Sequence, residues 1–409
     1  MVTEISHCRI CDSKSLLEVV SLGNQALTGV FPSQDESDPI SGPLVLVQCT
    51  SCTLVQLKHS FSPESMYGDN YGYRSGLNNS MVAHLKSKVS SLAVKYGIGP
   101  KSVVLDIGSN DGTSCNFWLE HTDIVIGMDP TAVKFKQYYD PKVIRIDKFF
   151  TKENFQEEVD KADLITSIAM FYDLDNPVLF AKDICDSLSE KGVWHLEQSY
   201  LPSMLAANAY DTICHEHVEY YSLASLSEIF KRAGLKIVDV SLNDINGGSI
   251  AVTVAKESNK DLSISVYAEW LLEKEKYDLN ENEATRLFDL GARVVRHKEE
   301  LKSLLEKLRT QGEIWGLGAS TKGNVLLQYC GFDSNLISAI ADVNPDKMNK
   351  VTPGTRIPIK SEKEWLDANP KFSIVLPWHF KKTFIDRNGP YMLNGGRLVF
   401  PLPRIEIYE

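Results

Sequence analysis

Residues 103–114 read VVLDIGSNDGTS, in which an apolar run leads into a turn with two glycines. The run is typical of a buried strand, and the residues after the turn suit the start of a helix. Gly108 and Gly112 allow the backbone to turn sharply and to approach a ligand closely. Their spacing differs from the dinucleotide-binding pattern Gly-x-Gly-x-x-Gly. We predict that this turn binds a cofactor through five residues: Asp106, Gly108, Ser109, Asn110 and Gly112.

Apolar and helix-like segments alternate after this turn. Further buried strands are predicted over IVIGMD, DLITSIAM and GVWHLEQSY, at residues 124–129, 163–170 and 192–200. Such alternation predicts an α/β fold with a parallel, doubly wound sheet. KIVDVSLND and GGSIAVTVA then predict a closing antiparallel hairpin. We place this domain at residues 76–260.

A second α/β unit follows a charged, helical stretch at residues 265–311. Its strands and helices are predicted from EIWGLGAS, KGNVLLQYCG, ISAIADVN, FSIVLPW and RLVFPLP. The sequence therefore predicts a solvated connecting helix and a second, Rossmann-like α/β domain within residues 261–409.

Two Cys-x-x-Cys pairs lie in the N-terminal part of the chain. Four thiolates bind Zn²⁺ tetrahedrally and leave no position open for water, so a structural ion is expected. Residues 1–75 otherwise show short apolar runs between Pro and Gly, which is typical of a small β-rich module. Such a module is too small for a large core, and the ion would hold it together. The predicted zinc ligands are Cys8, Cys11, Cys49 and Cys52.

The 409 residues carry a formal net charge of −11. An acidic chain is poorly suited to neutralise phosphates over a broad surface, so we expect no nucleic-acid partner and no binding to anionic membranes. No run of about 18 apolar residues is present, and the N-terminus lacks the apolar core of a signal peptide. We expect a cytoplasmic protein that is a monomer or a weak homodimer.

Two aspartates extend the predicted cofactor site. Asp129 ends the strand after the glycine turn, where a carboxylate can accept both hydroxyls of a ribose. Asp147 lies near the end of the following strand, where such folds meet an adenine. The glycine turn and Asp129 together resemble the cofactor site of class I S-adenosylmethionine methyltransferases. An α/β fold that binds another nucleotide, or none, is the alternative.

Residues 215–217 read His-Glu-His and follow a predicted strand. The two histidines are too close in sequence for the zinc pattern His-Glu-x-x-His. A histidine can act as a general base near neutral pH, and Glu216 could orient its ring or raise its basicity. Histidines with a purely structural role are the alternative. In the segment MYGDNYGYRSG, the side chains of Tyr71, Tyr73 and Arg74 could line a sugar pocket or simply pack.

These motifs together resemble the nucleotide-sugar C-methyltransferases of deoxysugar biosynthesis. That family has an N-terminal zinc-binding module, a central class I methyltransferase domain and a C-terminal α/β domain that helps to hold the nucleotide-linked substrate. The resemblance covers essentially the whole chain. Besides the cysteine pairs, it is carried by NYGYRSG, VVLDIGSNDGTS, EQSYLP, DTICHEHVEYYS, NGGSIAVTV, WGLGASTKGNVLLQYCG, LPWHF and GGRLVFPLPR.

The resemblance implies that S-adenosylmethionine methylates a ring carbon beside the ketone of a nucleoside-diphosphate 4-keto-deoxysugar. A base removes the acidic α-hydrogen, and the enolate carbon attacks the sulfonium methyl in line. His217 matches the family's base, with Glu216 beside it. A tyrosine of the segment that holds Tyr71 and Tyr73 reaches the sugar. The same resemblance implies Gln198 in the cofactor site, and in the substrate site Arg74, His215 and Asn246.

The C-terminal motif GLGASTKGN fits the same substrate. It follows a predicted strand and opens a helix, whose N-terminus presents free N–H groups to a phosphate. Lys322 would add a positive charge, whereas ordinary turn glycines are the alternative reading of the motif. The residues predicted to bind this part of the substrate are Gly318, Ser320, Lys322, Asn324 and Arg356.

Three positions depart from well-known members of the family. Cys214 stands where antibiotic-sugar enzymes have a tyrosine, and Tyr172 and Asp173 lie after the fourth strand, in the segment where those enzymes often have a histidine. They touch the expected substrate pocket, so the sugar, the methylated carbon and the group that stabilises the enolate stay open. O- or N-methylation of a small molecule, and a non-enzymatic zinc-module binding protein, are the alternative functions.

Overall fold

The computed structural model describes residues 2–61, 74–283 and 285–409. The strands in these ranges are β1 (Val2–Glu4), β2 (Leu16–Ala26), β3 (Ser41–Cys49), β4 (Val55–Leu57), β5 (His59–Phe61), β6 (Val103–Ile107), β7 (Ile124–Met128), β8 (Ile144–Ile146), β9 (Ala162–Ile168), β10 (Leu188–Ser199), β11 (Glu219–Tyr220), β12 (Leu235–Asn243), β13 (Ser249–Lys256), β14 (Ile314–Leu317), β15 (Ile340–Asp342), β16 (Ile359–Ser361), β17 (Phe372–Val375), β18 (Arg397–Phe400) and β19 (Glu406–Tyr408).

The α-helices in the same ranges are α1 (Asn79–Lys95), α2 (Thr113–Trp118), α3 (Ala132–Phe135), α4 (Lys152–Gln156), α5 (Pro177–Ser187), α6 (Leu201–Ala206), α7 (Leu223–Arg232), α8 (Val266–Asn280), α9 (Leu290–Arg309), α10 (Thr321–Cys330), α11 (Glu362–Ala368), α12 (Lys381–Arg387) and α13 (Gly389–Leu393). Among the described residues, no helix combines the length and the apolar character that a membrane crossing requires.

The glycine turn follows the first strand of a seven-stranded sheet. The strand order is β12-β13-β10-β9-β6-β7-β8, and only β13 runs against the others. Counted from β6 as strand 1, the order read from β8 is 3-2-1-4-5-7-6. The prediction of a doubly wound sheet is therefore confirmed, and so is the antiparallel hairpin of β12 and β13 that closes it.

Successive side chains of β6 enter two different cores. Val104 packs in a cluster that includes Leu92 of α1, whereas Leu105 packs in a cluster that includes Ile184 of α5. Both faces of the sheet are covered by helices, which explains why its strands read as nearly continuous apolar runs. The carboxyl ends of the parallel strands are left as the edge at which a ligand can bind.

The C-terminal domain holds a second α/β sheet of six strands. Its order is β16-β15-β14-β17-β18-β19, and β19 is the antiparallel edge strand. Counted from β14, this is the order 3-2-1-4-5-6 of the Rossmann fold. The prediction of a second, Rossmann-like domain is confirmed. Helix α10 leaves β14 as α2 leaves β6, so the two glycine-containing turns occupy equivalent places.

The zinc module shares its main sheet with the methyltransferase domain. The strand order of this sheet is β11-β4-β3-β2, in which Tyr220 of β11 pairs with Val55 of β4. The carbonyl oxygen of Val218 also accepts the N–H of Leu57 at 2.8 Å. The strand that follows the second cysteine pair is therefore bonded to the chain that directly follows His217.

Helix α8 packs against the methyltransferase sheet, although its charged composition predicted a solvated connector. Ala268 and Leu271 are buried in the same core as the strands of that sheet. The Glu275 carboxylate accepts the N–H groups of Leu223 and Ala224 at 2.5 and 2.9 Å, where α7 begins. Composition concealed this packing because a narrow stripe of the helix is enough to dock it. The predicted boundary near residue 260 stays a prediction.

Candidate active site and metal centre

Four cysteine sulfurs meet in the zinc module. All four Sγ atoms lie within 4.8 Å of one another, with 3.4 Å between Cys8 and Cys52 and 3.5 Å between Cys11 and Cys49. A tetrahedral Zn²⁺ with Zn–S bonds of about 2.3 Å needs sulfurs about 3.8 Å apart, so the cluster fits the ion. Four thiolates leave no position for a substrate, and the site is therefore structural.

The two cysteine pairs lie in matching turns. The N–H of Asp12 donates to the carbonyl of Cys8 at 3.0 Å, and the N–H of Thr53 donates to that of Cys49 at 2.9 Å. Asp12 and Thr53 both have left-handed backbones, with φ of 58° and 65°. The same turn is thus used twice, and each copy presents two sulfurs to one point.

A cavity of about 440 Å³ lies at the carboxyl ends of β6, β7 and β9. Its polar side is the glycine turn, where Gly108 has a φ of +73° and a Cβ would lie 3.0 Å from Met170. Its apolar side is formed mainly by Met81, Leu85, Phe149, Phe150 and Phe180. A polar loop opposite an apolar wall fits S-adenosylmethionine, which joins a charged amino acid and a ribose to a flat adenine.

Most of the residues predicted for the cofactor line this cavity: Asp106, Gly108, Ser109, Asn110 and Asp129. The other three lie elsewhere. Gly112 is the residue before α2, with φ of +76°. The Asp147 carboxylate pairs with Arg145 at 2.6 Å and does not line the cavity. Gln198 is buried in β10, and neither of its amide atoms has a hydrogen-bond partner among the described residues.

Two of the aspartates that line the cavity, Asp106 and Asp129, are held by short hydrogen bonds. Asp129 accepts the N–H of Asn110 at 2.9 Å and both the N–H and the hydroxyl of Thr131 at 2.6 Å. Oδ1 accepts both bonds from Thr131, whereas Oδ2 accepts the N–H of Asn110 and keeps a lone pair with which Asp129 can accept a ribose hydroxyl. Burial raises the pKa of Asp106 to about 6, while the Thr166 hydroxyl, which donates to it at 2.5 Å, opposes that rise.

A short backbone segment closes over the glycine turn. The N–H of Ser75 donates to Oδ1 of Asn110 at 3.0 Å, and the N–H of Gly76 donates to Oδ2 of Asp111 at 3.0 Å. Ser75 itself lines the cavity. The chain that enters the methyltransferase domain is therefore docked on the cofactor loop by its own backbone.

Arg74 contacts the cofactor loop as well. Its Nε lies 3.4 Å from Oδ2 of Asp111, and its Nη1 donates to the Tyr138 hydroxyl at 2.9 Å. The guanidinium also stacks on the Tyr138 ring. These contacts give Arg74 protein partners at the cofactor loop, and its predicted contact to the sugar stays a prediction. Tyr71 and Tyr73 lie outside the described residues, and their roles stay predictions.

His217 is held as a neutral imidazole. Its Nδ1 lies 3.1 Å from the carbonyl oxygen of Thr212. Because a carbonyl oxygen only accepts, Nδ1 carries the proton and Nε2 keeps its lone pair. Burial, together with the charge of Lys322, lowers the pKa of His217 to about 3. The ring packs on Tyr172 with 4.2 Å between ring centroids.

A one-turn helix at Phe171–Asp173 lies between the His217 ring and the cofactor cavity. Asp173 lines the cavity, and Tyr172 contacts the ring of His217. The carbonyl of Tyr172 also accepts the N–H of Val218 at 2.9 Å. These two of the three positions that depart from the family pattern thus lie between the cofactor cavity and the His217 ring.

The other two residues of the His-Glu-His motif face the zinc module. His215 is fully buried, with Nε2 3.5 Å from the carbonyl of Gly42, and burial lowers its pKa to about 4. The Glu216 carboxyl lies against Gly29, where a Cβ would collide with Oε1, and burial raises its pKa. The ring of His217 therefore takes its orientation from a backbone carbonyl rather than from Glu216.

The C-terminal glycine motif meets the methyltransferase domain. Ser320 caps α10 by accepting the N–H of Gly323 at 3.0 Å, and Gly318 turns the chain before it with φ of +81°. Lys322, in the first turn of α10, donates to the carbonyl of Asn246 at 2.9 Å. The motif is thereby joined to the loop between β12 and β13.

Two further residues predicted for the substrate tie the C-terminal domain to the zinc module. Asn324 donates from Nδ2 to the carbonyl of Thr28 at 2.7 Å. Arg356 donates to the carbonyls of Glu36 and Gln34 at 2.9 and 2.6 Å. Their predicted contacts to the substrate stay predictions, and both side chains already have protein partners.

The site also contains residues that the sequence did not single out. The indole N–H of Trp378 donates to Oδ2 of Asp211 at 2.7 Å, and this joins two domains in a buried contact. His379 follows, and burial, with the charge of Lys322, lowers its pKa to about 3. Both residues lie within LPWHF, so the motif was visible, but a pairing with Asp211 had no sequence signal.

Three family models match successive parts of the chain. A zinc binding domain matches residues 8–67, a methyltransferase domain matches residues 81–240, and the C-terminal domain of C-methyltransferases matches residues 244–403. Together they cover the zinc cluster, the cofactor cavity and the domain that carries Lys322.

A full-length relative is the C-methyltransferase NovU of Streptomyces niveus, which is 30% identical over 98% of this chain and 97% of its own. Among solved structures, the mitomycin 7-O-methyltransferase MmcR is 12% identical, with a TM-score of 0.36 over 44% of this chain and 55% of its own. The plantazolicin methyltransferase BpumL is 14% identical, with a TM-score of 0.34 over 42% of this chain and 82% of its own. The relation to NovU therefore carries the comparison.

Proposed function

We propose a specific methyl acceptor and a specific catalytic base for this chain, which belongs to the C-methyltransferases and takes S-adenosylmethionine as its cofactor. Its zinc module and its C-terminal domain are those of the same family. The acceptor is a ring carbon beside the ketone of a nucleoside-diphosphate 4-keto-deoxysugar. The base is His217. Both go beyond the family assignment, which is to a C-methyltransferase.

Carbon methylation needs a carbon nucleophile, and a ketone makes one available. Nε2 of His217 takes the α-hydrogen as a proton, and the electron pair of that C–H bond moves into an enolate. S-adenosylmethionine supplies an electrophilic methyl group on a sulfonium, and the enolate carbon forms its new bond to that methyl. The protein must hold the base neutral, place it beside the cofactor cavity and stabilise the enolate oxygen.

The observation that carries the proposal is the tautomer of His217. The bond from Nδ1 to the Thr212 carbonyl leaves Nε2 unprotonated, and the low pKa keeps the ring neutral. O- or N-methylation of a ready nucleophile has less need of such a base. The geometry around His217 therefore favours carbon methylation of an acidified C–H.

The position of the base supports the same reaction. Tyr172 contacts the His217 ring, and the adjacent Asp173 lines the cofactor cavity. A substrate carbon between the two could face the base on one side and the methyl donor on the other. The start of α10, with Ser320 as its cap, would then offer backbone N–H groups to the diphosphate.

Solvent deuterium exchange tests the proposal. The protein is incubated in D₂O with a panel of dTDP- and UDP-linked 4-keto-6-deoxyhexoses, without S-adenosylmethionine, and the sugars are analysed by mass spectrometry and NMR. We expect deuterium at one ring carbon beside the ketone, and methylation of that same carbon once S-adenosylmethionine is added. Methylation of an oxygen or nitrogen, with no exchange for any sugar of the panel, would reject the proposal.

A further inference from the structure

Lys322 is a side chain of the C-terminal domain that contacts the methyltransferase domain. It lies in the first turn of α10 and donates to the carbonyl of Asn246, in the loop between β12 and β13. Asn246 has a left-handed backbone, with φ of 56°. The ammonium group is therefore tied to the methyltransferase domain, and its charge acts on His217 of that domain.

Lys322 lies at a junction between the C-terminal domain and the methyltransferase domain. The carbonyl that it binds belongs to the loop Ile245–Gly247, and a Cβ at Gly247 would lie 3.2 Å from the Trp378 ring. Trp378 in turn donates to Asp211. The hairpin loop, the start of α10 and the segment that precedes the His-Glu-His motif thus meet at the junction to which Lys322 contributes its ammonium group.

Four titratable groups interact electrostatically with this ammonium. Asp211 and Cys214 lie on the methyltransferase side and favour its charged form. His217 on that side and His379 on the C-terminal side are both kept neutral, since burial and then the Lys322 charge lower their pKa values. Burial lowers the pKa of Lys322 itself. The charge of Lys322 therefore acts on the His217 ring across the junction of the two domains.

We propose that Lys322 is a catalytic residue that donates a hydrogen bond to the ketone oxygen of the substrate and stabilises the negative charge which develops there as His217 removes the α-proton. This inference rests on the proposed function. The sequence suggested instead that Lys322 binds a diphosphate. Its bond to Asn246 and its interaction with His217 favour the reacting end of the substrate, which leaves the backbone N–H groups at the start of α10 for the phosphates.

The step balances without a further reactant. The α-C–H bond breaks, its proton goes to Nε2 of His217, and its electron pair forms the enolate whose oxygen accepts from Lys322. In the methyl transfer, the same electron pair forms the new C–C bond and the ketone is restored. A cation beside the oxygen stabilises the enolate more than the ketone, and such a difference is what accelerates a reaction.

The test compares Lys322→Met, Lys322→Arg and wild type in the exchange assay, with dTDP-4-keto-6-deoxyglucose and its UDP analogue as probes. Lys322→Met should slow exchange at saturating sugar by about 10²-fold, as loss of one donor to an oxyanion does. Lys322→Arg should recover part of that rate. The matched control Lys302→Met removes a lysine from the exposed side of α9 and should exchange at the wild-type rate.

A second readout separates this role from a structural tie. Removing the Lys322 charge should move the acid limb of the exchange rate to higher pH, because that charge lowers the pKa of His217. Thermal midpoint and S-adenosylhomocysteine binding establish that each variant is folded.

Two results would overturn the inference. A Lys322→Met variant with wild-type exchange at saturation, and only weaker binding of the sugar nucleotide, would identify a phosphate contact and leave His217 as the base. Wild-type protein that exchanges no probe would remove the proposed function and this inference with it.

Discussion

His217 donates its Nδ1–H to the carbonyl oxygen of Thr212 across 3.1 Å. The bond fixes which ring nitrogen carries the proton, and it does so with a backbone atom that no side-chain substitution removes. The geometry therefore leaves the lone pair of the ring on Nε2. An aspartate or glutamate in place of that carbonyl would instead favour the protonated ring.

Replacement of the base is the first prediction. His217→Asn should lower both deuterium exchange and methyl transfer by at least about 10²-fold, because proton removal loses its acceptor. Binding of S-adenosylhomocysteine, measured by calorimetry, should stay within error of wild type, since His217 does not line the cofactor cavity. His121→Asn, in the turn after α2, serves as the control. Near-normal turnover of His217→Asn would reject the base assignment.

The pH dependence of exchange is the second prediction. The pKa of His217 is lowered to about 3, so the neutral base persists as the pH falls. An ordinary imidazole would lose half its base form near pH 6.5. We expect the exchange rate at saturating sugar to be nearly constant between about pH 8 and 5 and to fall only in more acidic solution. Circular dichroism at each pH checks that the fold is intact. A half-loss near pH 6.5 would contradict the buried, neutral state.

Loss of a zinc ligand is the third prediction. Cys8→Ser should reduce the bound zinc, measured by atomic emission, and should lower the thermal midpoint, because the metal holds a module with a small core of its own. The matched change Cys185→Ser removes a thiol outside the cluster and should leave both quantities unchanged. A Cys8→Ser protein with full stability but a lost chemical step would speak for a catalytic metal instead.

Asp129 and Asp147, the two aspartates predicted at strand ends of the cofactor site, are the subject of the fourth prediction. Asp129→Ala should weaken S-adenosylmethionine binding by about 10- to 100-fold, the effect of losing hydrogen bonds to a charged acceptor. Asp147→Ala should change it less than about twofold, because that carboxylate pairs with Arg145 outside the cavity, and such exposed pairs contribute little. Isothermal calorimetry of both variants decides between them. A larger effect at Asp147 would restore the sequence-based assignment.

Local patterns were enough to predict the two sheets and the cofactor turn. The alternation of strands and helices predicted the parallel sheet. Gly108, which was predicted to let the backbone approach a ligand closely, lines the cavity. Asp147 directly follows β8, as the sequence predicted, but its carboxylate pairs with Arg145 and does not line the cavity, so its role in cofactor binding stays a prediction. The chain continues past β8 to Phe149 and Phe150, and these aromatic rings form that part of the cavity wall.

Contacts between distant segments could not be predicted. The pairing of Tyr220 with Val55, the bond from Trp378 to Asp211 and the docking of α8 all join parts of the chain whose meeting no local pattern encodes. The orientation of His217 belongs to the same class, since it depends on a backbone carbonyl. The sequence thus indicated candidate residues for the site, whereas the contacts that position these residues depend on the fold.

The sheet shared by β4 and β11 makes the zinc module and the methyltransferase domain of this enzyme depend on each other. A fragment of residues 76–260 would carry the methyl-donor cavity but would leave β11 as an unpaired edge and the base loop without its support. Exchange of the zinc module between relatives would likewise replace β4, the strand that pairs with β11 next to His217. Chimeras should therefore be joined so that β4 and β11 come from one parent, and recombination that splits the pair should be rare among natural relatives.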